Sequence, residues 1–206
     1  MKRCASVIFP AARNEDLTQS LVDNLHDTNP NIDVDVVVSS PSFNICRATN
    51  IRDDYIGIMR AVCYGLPHAK GDYVGWLTDE TRTMPNCLEH MIDFIDSRPA
   101  PFIAEFCVGD PGGQWDGRRF ARWGMLSKKT VEMIGFFDPG FASFWSDVDF
   151  SCRCWSMGGS VDLCPTALVV HTPIDDDLHR NKVHKYADGD LAYFYKKWPQ
   201  YIGVPT

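Results

Sequence analysis

The feature that most constrains the fold is a repeated alternation of apolar, strand-like segments with amphipathic helical segments over residues 1–108. The strand-like segments are 4–9, 34–40, 73–77 and 102–108. The helical segments, in which apolar residues recur three and four positions apart, are 15–27, 54–69 and 85–97. Because buried strands that alternate with helices form parallel sheets covered on both faces, the sequence predicts an α/β fold with a mainly parallel sheet.

The second half of the chain is less regular. Residues 109–119 have the composition of a glycine-rich loop, and a strand with a short helix capped by Ser127 is predicted after it. A further helix is predicted from about Ser146 to Met157, then a strand pair that ends at His171. The sequence of the tail, residues 172–206, predicts a loop and a helix packed on the body. We therefore predict one domain over 1–206, with a first half (1–108), a second half (109–171) and a C-terminal tail and helix (172–206).

Composition argues against several classes of partner. The chain has a net charge of −7 and no basic run, which predicts that it binds neither nucleic acid nor an anionic lipid surface. No apolar run approaches the roughly 18 residues that cross a bilayer, so no transmembrane segment is predicted. The eight cysteines form no CxxC pair and predict reduced thiols, although an even number leaves disulfides open. We expect a cytoplasmic protein, or one peripheral to a membrane.

Acidic residues follow one of the predicted strands at an informative place. Ligands of parallel sheets bind beyond the carboxyl ends of the strands, where residues 10–15, 39–44 and 78–83 should meet. Asp79 and Glu80 lie there, and their carboxylates are the ligands that Mg²⁺ and Mn²⁺ prefer. A solvated turn, or the cap of the next helix, is the alternative interpretation.

The order of these elements and their loop residues resembles the GT-A nucleotide-diphospho-sugar glycosyltransferases, in particular the inverting family 2 type, over roughly residues 5–171. "SVIFPAARNEDLTQSLVDNL" is similar to that family's first strand, Pro-x-x-x-Asn-Glu loop and first helix. "AKGDYVGWLTDETRTMPNCLEHMIDFI" is similar to its Gly-Asp-Tyr strand, acidic metal motif and following helix. "MLSKKTVEMIGFFDPGFASFWSDVDFSCRCWSMGG" is similar to its acceptor-side segment, which ends in an acidic motif and a helix.

The resemblance implies a role for several residues. It implies that residues 1–108 bind the nucleotide sugar and that 109–171 carry the acceptor side and the catalytic base. Residues implied to contact the nucleotide sugar are Pro10, Ala11, Arg13, Asn14, Ser39, Thr78 and Asp79. Residues implied to hold a divalent cation, Mn²⁺ or Mg²⁺, are Asp79, Glu80 and His171. Asp147 occupies the position of the general base, and Trp115, Arg118 and Trp123 lie where an acceptor is expected.

Each of these residues has a plainer interpretation as well. Arg13 could be a surface arginine, and His171 a core or surface histidine. Asp147 lies near a helix start and could be a cap. Asp149 lies two residues further on, would face elsewhere, and could pair with Arg153. Trp115, Arg118 and Trp123 could form a packed flap.

The sequence departs from the family's pattern at three places. The second strand ends in Ser39 and Ser40 where the family has an aspartate that holds the base or ribose. The Asp-x-Asp motif reads Thr78-Asp79-Glu80, and Ser146 replaces the glutamate before the catalytic-type aspartate. Donor choice and metal dependence are therefore less constrained than the fold.

The expected function is a metal-dependent glycosyltransferase that moves a sugar from a nucleoside-diphosphate sugar to a hydroxyl of a glycan, lipid or protein. The alternatives are a retaining transferase, a nucleotidyltransferase, and a non-catalytic nucleotide- or glycan-binding module on the same fold. The loop "PAARNED" lacks the glycines of a nucleotidyltransferase, which counts against that alternative.

Overall fold

The computed structural model describes residues 2–11, 14–54, 57–110, 112–172, 174 and 184–203. The strands are β1 (Cys4–Pro10), β2 (Asp33–Ser40), β3 (Thr49–Arg52), β4 (Tyr73–Trp76), β5 (Thr81–Thr83), β6 (Phe102–Cys107), β7 (Gly113–Trp115), β8 (Arg118–Phe120), β9 (Gly124–Ser127) and β10 (Ser160–His171). The helices are α1 (Glu15–Thr28), α2 (Ile58–Gly65), α3 (Cys87–Asp96), α4 (Lys128–Ile134), α5 (Ser146–Ser156) and α6 (Ala187–Lys197).

Eight of these strands form one mixed sheet, in the order β3-β2-β1-β4-β9-β6-β10-β5. The pairings show that β5 and β9 run against the other six strands, so the prediction of a mainly parallel sheet is confirmed. β7 and β8 form a separate antiparallel hairpin.

Helices cover both faces of the sheet. Alternate residues of a strand point to opposite faces, so each face packs against its own helices. Within β1, Val7 and Phe9 belong to one buried cluster with α1 and α3, whereas Ile8 belongs to a second with α2 and α5. Local capping fixes where two helices begin: Asn14 accepts a hydrogen bond from the N–H of Leu17 (3.1 Å), and Ser127 caps α4 as predicted.

Three local predictions were wrong. β3 lies in a segment where no strand was predicted, because a half-exposed edge strand needs no apolar run. Residues 109–119 are not a loop throughout but contain the β7–β8 hairpin. The predicted strand pair before His171 is one strand, β10, with an irregularity between Cys164 and Leu168, after which the strand pairs with β5.

The C-terminal helix α6 is fixed to the body by aromatic packing and by buried charges. Phe194 packs with Trp115 and Trp145 in an aromatic cluster. Lys197 contacts the buried carboxylate of Asp149 at 2.6 Å. The tail helix is therefore part of the packed domain and contacts α5.

The eight cysteines all lie within the described residues and are free thiols. Among the helices that the structure describes, none combines the length and the apolar character needed to cross a membrane.

Candidate active site

The carboxyl edge of β1, β2 and β3 carries a buried polar pair. Ser39, at the end of β2, donates its hydroxyl to a carboxylate oxygen of Asp53 at 3.1 Å. Both residues are buried, and the Asp53 N–H donates to the carbonyl of Ser40 at 3.1 Å. Ala11, directly after β1, donates its N–H to the carbonyl of Ser39 at 2.9 Å. This edge therefore presents a carboxylate that comes from the residue after β3 and not from β2.

The structure gives different surroundings to the residues that were predicted to contact the nucleotide near β1. The side chain of Asn14 is engaged as the N-cap of α1, so the structure gives it a local role. Arg13 lies outside the described residues. Pro10 ends β1 at the same edge as Ser39 and is buried.

The chain leaves β4 through a tight acidic turn. The hydroxyl and N–H of Thr81 both bond to the carbonyl of Thr78, at 2.6 and 3.0 Å. Arg82 donates to the carbonyl of Asp79 at 2.9 Å, which ties down the middle of the turn. The side chain of Asp79 is buried. The turn thus directs consecutive acidic residues at the carboxyl edge of the sheet.

β10 brings His171 to this turn. His171 is the register partner of Thr81, and its Nε2 lies 3.2 Å from a carboxylate oxygen of Glu80. The N–H of Thr172 donates to the carbonyl of Glu80 at 3.1 Å, which holds the two segments together. Residues that are 91 positions apart in the chain therefore form a carboxylate–imidazole pair.

This pair suits a divalent cation that also binds a ligand. Carboxylate oxygen and imidazole nitrogen are both ligands of Mn²⁺. No group of three or more His, Cys, Asp or Glu side chains with metal-binding geometry occurs among the described residues. The donor set of Glu80 and His171, with Asp79 beside them in the turn, fits a cation whose remaining ligands come from a bound diphosphate or from water.

Asp147 lies in a cavity next to the acidic turn. The cavity holds about 200 Å³ and has largely apolar walls. Its lining includes Met59, Trp76, Leu77, Thr78, Trp123 and Asp147. Thr78 belongs both to this lining and to the acidic turn, so the cavity of Asp147 reaches the first residue of the turn.

The surroundings of Asp147 change its acidity. Burial beside apolar walls raises the pKa of Asp147 to about 6, because a charged carboxylate is poorly solvated there. The N–H of Val148, which donates to its Oδ1 at 2.9 Å, acts in the opposite direction. Glu105 adds to the rise of this pKa, and Arg122 opposes it. The carboxyl group therefore titrates near neutral pH.

Trp123 connects the two parts of the site. It lines the cavity of Asp147, and its ring lies 4.6 Å from the ring of His171. An aromatic face between the acidic turn and Asp147 is a suitable surface for a sugar ring.

The other two residues predicted at the acceptor side lie elsewhere. Trp115 is only 6% exposed, since it packs against Phe194 and Tyr201 in the aromatic cluster. Arg118 stacks over Trp155 at 5.3 Å, near the far end of α5 from Asp147. Neither residue lines the cavity of Asp147, and the structure gives both of them packing contacts. Their assignment to the acceptor side stays a prediction.

Comparison with known proteins gave structural matches only; neither family models nor curated protein sequences matched the chain. A mannosyltransferase from Pyrobaculum calidifontis, solved in complex with GDP-Man and Mn²⁺, superposes with a TM-score of 0.70 at 13% identity. GalNAc-T7, solved with UDP, GalNAc and Mn²⁺, superposes with a TM-score of 0.72 at 14% identity. Each match covers 98% of this chain. The chain has the GT-A fold.

The matches cover a smaller share of the two known proteins than of this chain. This GT-A chain spans 66% of the mannosyltransferase and 51% of GalNAc-T7. The shared part includes nearly all of the sheet and helices described above, so the fold comparison applies to the whole candidate site.

Two buried acidic residues of the site were missed in the sequence. Asp53 follows a short polar strand that gave no apolar signal. Glu105 points from β6 into a network in which it accepts hydrogen bonds from Gly113, Arg119 and Arg122. The one available signal for Glu105 was an acid inside the apolar run "FIAEFCV", which indicates a buried carboxylate with partners.

Proposed function

We propose that this chain is a metal-dependent glycosyltransferase that moves a sugar from a nucleoside-diphosphate sugar to a hydroxyl of a glycan, lipid or protein. The observation that carries the proposal is the cavity that holds Asp147, whose pKa is raised to about 6. This cavity reaches Thr78, the first residue of the acidic turn, and Trp123, which contacts His171. The GT-A fold and the donor complexes of the two matched proteins support the same class of reaction.

Asp147 is the proposed general base of an inverting transfer. The acceptor oxygen attacks the anomeric carbon while its proton moves to the Asp147 carboxylate. The bond from the anomeric carbon to the diphosphate breaks on the opposite side, and the electron pair leaves with the diphosphate. A base with a pKa of about 6 is largely ionised at pH 7 and still accepts a proton readily.

Glu80 and His171 are the proposed cation ligands, with Asp79 supporting them in the same turn. A bound Mn²⁺ or Mg²⁺ would offset the charge that develops on the leaving diphosphate. Glu80 and His171 are already paired in this structure, so little rearrangement is needed to direct both at one ion.

The nucleoside end of the donor is proposed to lie at the edge formed by Pro10, Ala11, Ser39 and Asp53. The Ser39 hydroxyl donates to Asp53, which leaves that carboxylate oriented at the end of β2. Carboxylates bind ribose hydroxyls or base N–H groups more strongly than neutral acceptors do. Arg13 and Thr78 remain proposed donor contacts, and Trp123 remains the proposed acceptor or sugar platform.

A two-part experiment tests the proposal. The first part measures the melting temperature with a panel of nucleoside diphosphates and their sugars, with and without Mn²⁺; binding to the native state raises it. The second part follows transfer, or slow hydrolysis, of every donor that binds. We expect at least one donor to bind in a Mn²⁺-dependent manner and to be turned over.

Asp147→Asn separates the outcomes. Loss of a general base costs roughly 10²- to 10⁴-fold in rate, while donor-induced stabilisation should persist. Unchanged turnover in this variant would show that the base is another residue. Donor binding without turnover in the wild-type chain would favour the non-catalytic module, and retention of the donor's anomeric configuration in the product would favour the retaining mechanism.

A further inference from the structure

The segment 142–144 contributes Ser143 to the lining of the Asp147 cavity and lies shortly before α5. Ser143 lines the cavity, and Asp147 follows four residues later. The carbonyl of Ala142 accepts the N–H of Met59 at 3.0 Å, and Met59 also lines the cavity. Gly57 packs so closely that a Cβ there would lie 2.2 Å from the Ala142 oxygen. The segment 142–144 therefore packs against the start of α2, and its Ser143 forms part of the cavity wall.

This segment is held by a carboxylate from the C-terminal helix. Asp190, in the first turn of α6, is 5% exposed. Its Oδ1 accepts the N–H of Ala142 at 2.9 Å, and its Oδ2 accepts the N–H groups of Ser143 and Phe144, each at 2.8 Å. Three consecutive backbone N–H groups converging on one carboxylate form an anion-binding nest.

The chemistry of this contact requires a carboxylate. An ionised aspartate offers two acceptor oxygens and no donor, which matches three N–H groups. An asparagine of the same size offers one oxygen and a donating NH₂ group, which would face backbone N–H groups. At least one N–H would then lose its partner in a buried place, and a segment with an unsatisfied buried donor rearranges or destabilises.

We infer that Asp190 is a positioning residue for the transfer. It lies 48 residues along the chain from Ala142 and holds the segment 142–144 in place. This segment in turn positions Ser143 in the cavity wall and the start of α5, which carries Asp147. The route is short, because Trp145, in a left-handed conformation (φ 62°), and Ser146 are the only residues between the nest and Asp147. This inference rests on the proposed function and adds a role for the tail helix in it.

Asp190→Asn tests the inference against a matched control, Asp188→Asn. Asp188 lies in the same first turn of α6 but is exposed, so the control removes the same charge from the same helix end without touching the nest. We expect Asp190→Asn to lower kcat roughly 10- to 100-fold, with the donor KM changed far less, because small displacements of a base are costly. The control should keep wild-type values of both constants.

The pH profile separates positioning from a merely structural role. A structural role would lower the melting temperature and the folded fraction but leave the profile of the folded enzyme unchanged. Displacement of the wall changes the solvation of Asp147 and its distances to Glu105 and Arg122, so the acidic limb of kcat/KM should move in Asp190→Asn and stay in place in the control. If Asp190→Asn had the same kcat and the same acidic limb of kcat/KM as the control Asp188→Asn, the inference would be overturned.

Asp190→Glu covers the case in which the asparagine variant does not fold. It keeps the charge but moves the carboxylate outward by one methylene group, so a folded protein with reduced kcat and a shifted limb is expected. Wild-type values for both in this variant would also overturn the positioning role. Absence of transfer in the wild-type chain, in contrast, would refute the proposed function itself, so the two failures are distinguishable.

Discussion

The raised pKa of Asp147 predicts that its replacement by asparagine stabilises the protein at neutral pH. Moving the pKa of this group from its ordinary value of 3.8 to about 6 corresponds to up to ~3 kcal/mol. At pH 8 the carboxyl group is ionised in both the folded and the unfolded chain, so only the folded state carries this desolvation cost. Asparagine carries no charge and keeps an oxygen for the Val148 N–H, so most of the ~3 kcal/mol should appear as added stability.

The sign and the pH window follow from the same pKa. Below pH 3.8 the group is neutral in both states, and the two proteins should have nearly equal free energies of unfolding. Between pH 4 and 6 the folded wild-type chain binds more protons than the unfolded one, so wild-type stability falls relative to the variant as pH rises. Above about pH 7 the difference should be constant.

Urea unfolding at pH 4, 6 and 8 measures this difference directly. A chain of this size gains roughly 2–4 °C in melting temperature per kcal/mol, so the variant should melt about 5–10 °C higher at pH 8. Asp188→Asn is the control, because it also removes a first-turn carboxylate, but from an exposed site; it should be neutral or destabilising by up to about 1 kcal/mol. A difference between Asp147→Asn and wild type that does not change with pH would refute the reasoning.

Three further results are expected. The kcat/KM of transfer should fall about tenfold per pH unit below pH 6, since neutral Asp147 cannot accept a proton; a profile that is flat from pH 5 to 8 would contradict this. Nucleoside diphosphate should raise the melting temperature more with Mn²⁺ than with EDTA, and Glu80→Gln and His171→Ala should each remove most of this difference. An equal difference in the variants and in the wild type would place the ion elsewhere. Asp53→Asn should weaken nucleoside diphosphate binding roughly 10- to 100-fold in a titration, whereas the exposed neighbour in Asp54→Asn should leave it unchanged; equal affinities would remove Asp53 from the site.

The sequence predicted the elements whose burial is periodic. The strands that became β1, β2, β4 and β6 are rich in apolar residues and mostly buried, and α1 and α3 bury one regular stripe, so hydrophobic spacing identified them. β3 and β5 lie at the two edges of the sheet and carry polar residues, which is why spacing did not identify them. The same reason decides which site residues could be predicted. The acidic turn and His171 lie at the ends of predicted strands, whereas Asp53 follows an edge strand that was not predicted.

Side chains whose surroundings come from the tail could not be assigned from the sequence. Trp115 lies in a glycine-rich segment, and nothing local shows that Phe194 covers it. Asp149 was predicted to pair with Arg153, and it does, at 3.1 Å. Its contacts with Lys197 and Trp198 depend on the docking of α6, a long-range packing that a single sequence does not reveal.

The carboxylates on and around α5 therefore differ in their effect on stability because of their partners and not their residue type. Asp149, Asp190 and Glu105 are surrounded by cations or backbone N–H groups and hold helices and loops in place. Asp147 faces apolar walls, and its ionised form is the one that the fold destabilises. Asp147 and Asp149 are two residues apart on one helix, yet replacement by asparagine should shift stability in opposite directions at pH 8: upward at Asp147, and downward at Asp149, where Lys197 and Arg153 would lose a charged partner. Equal signs at the two positions would mean that the different surroundings of the two carboxylates do not decide their effect on stability.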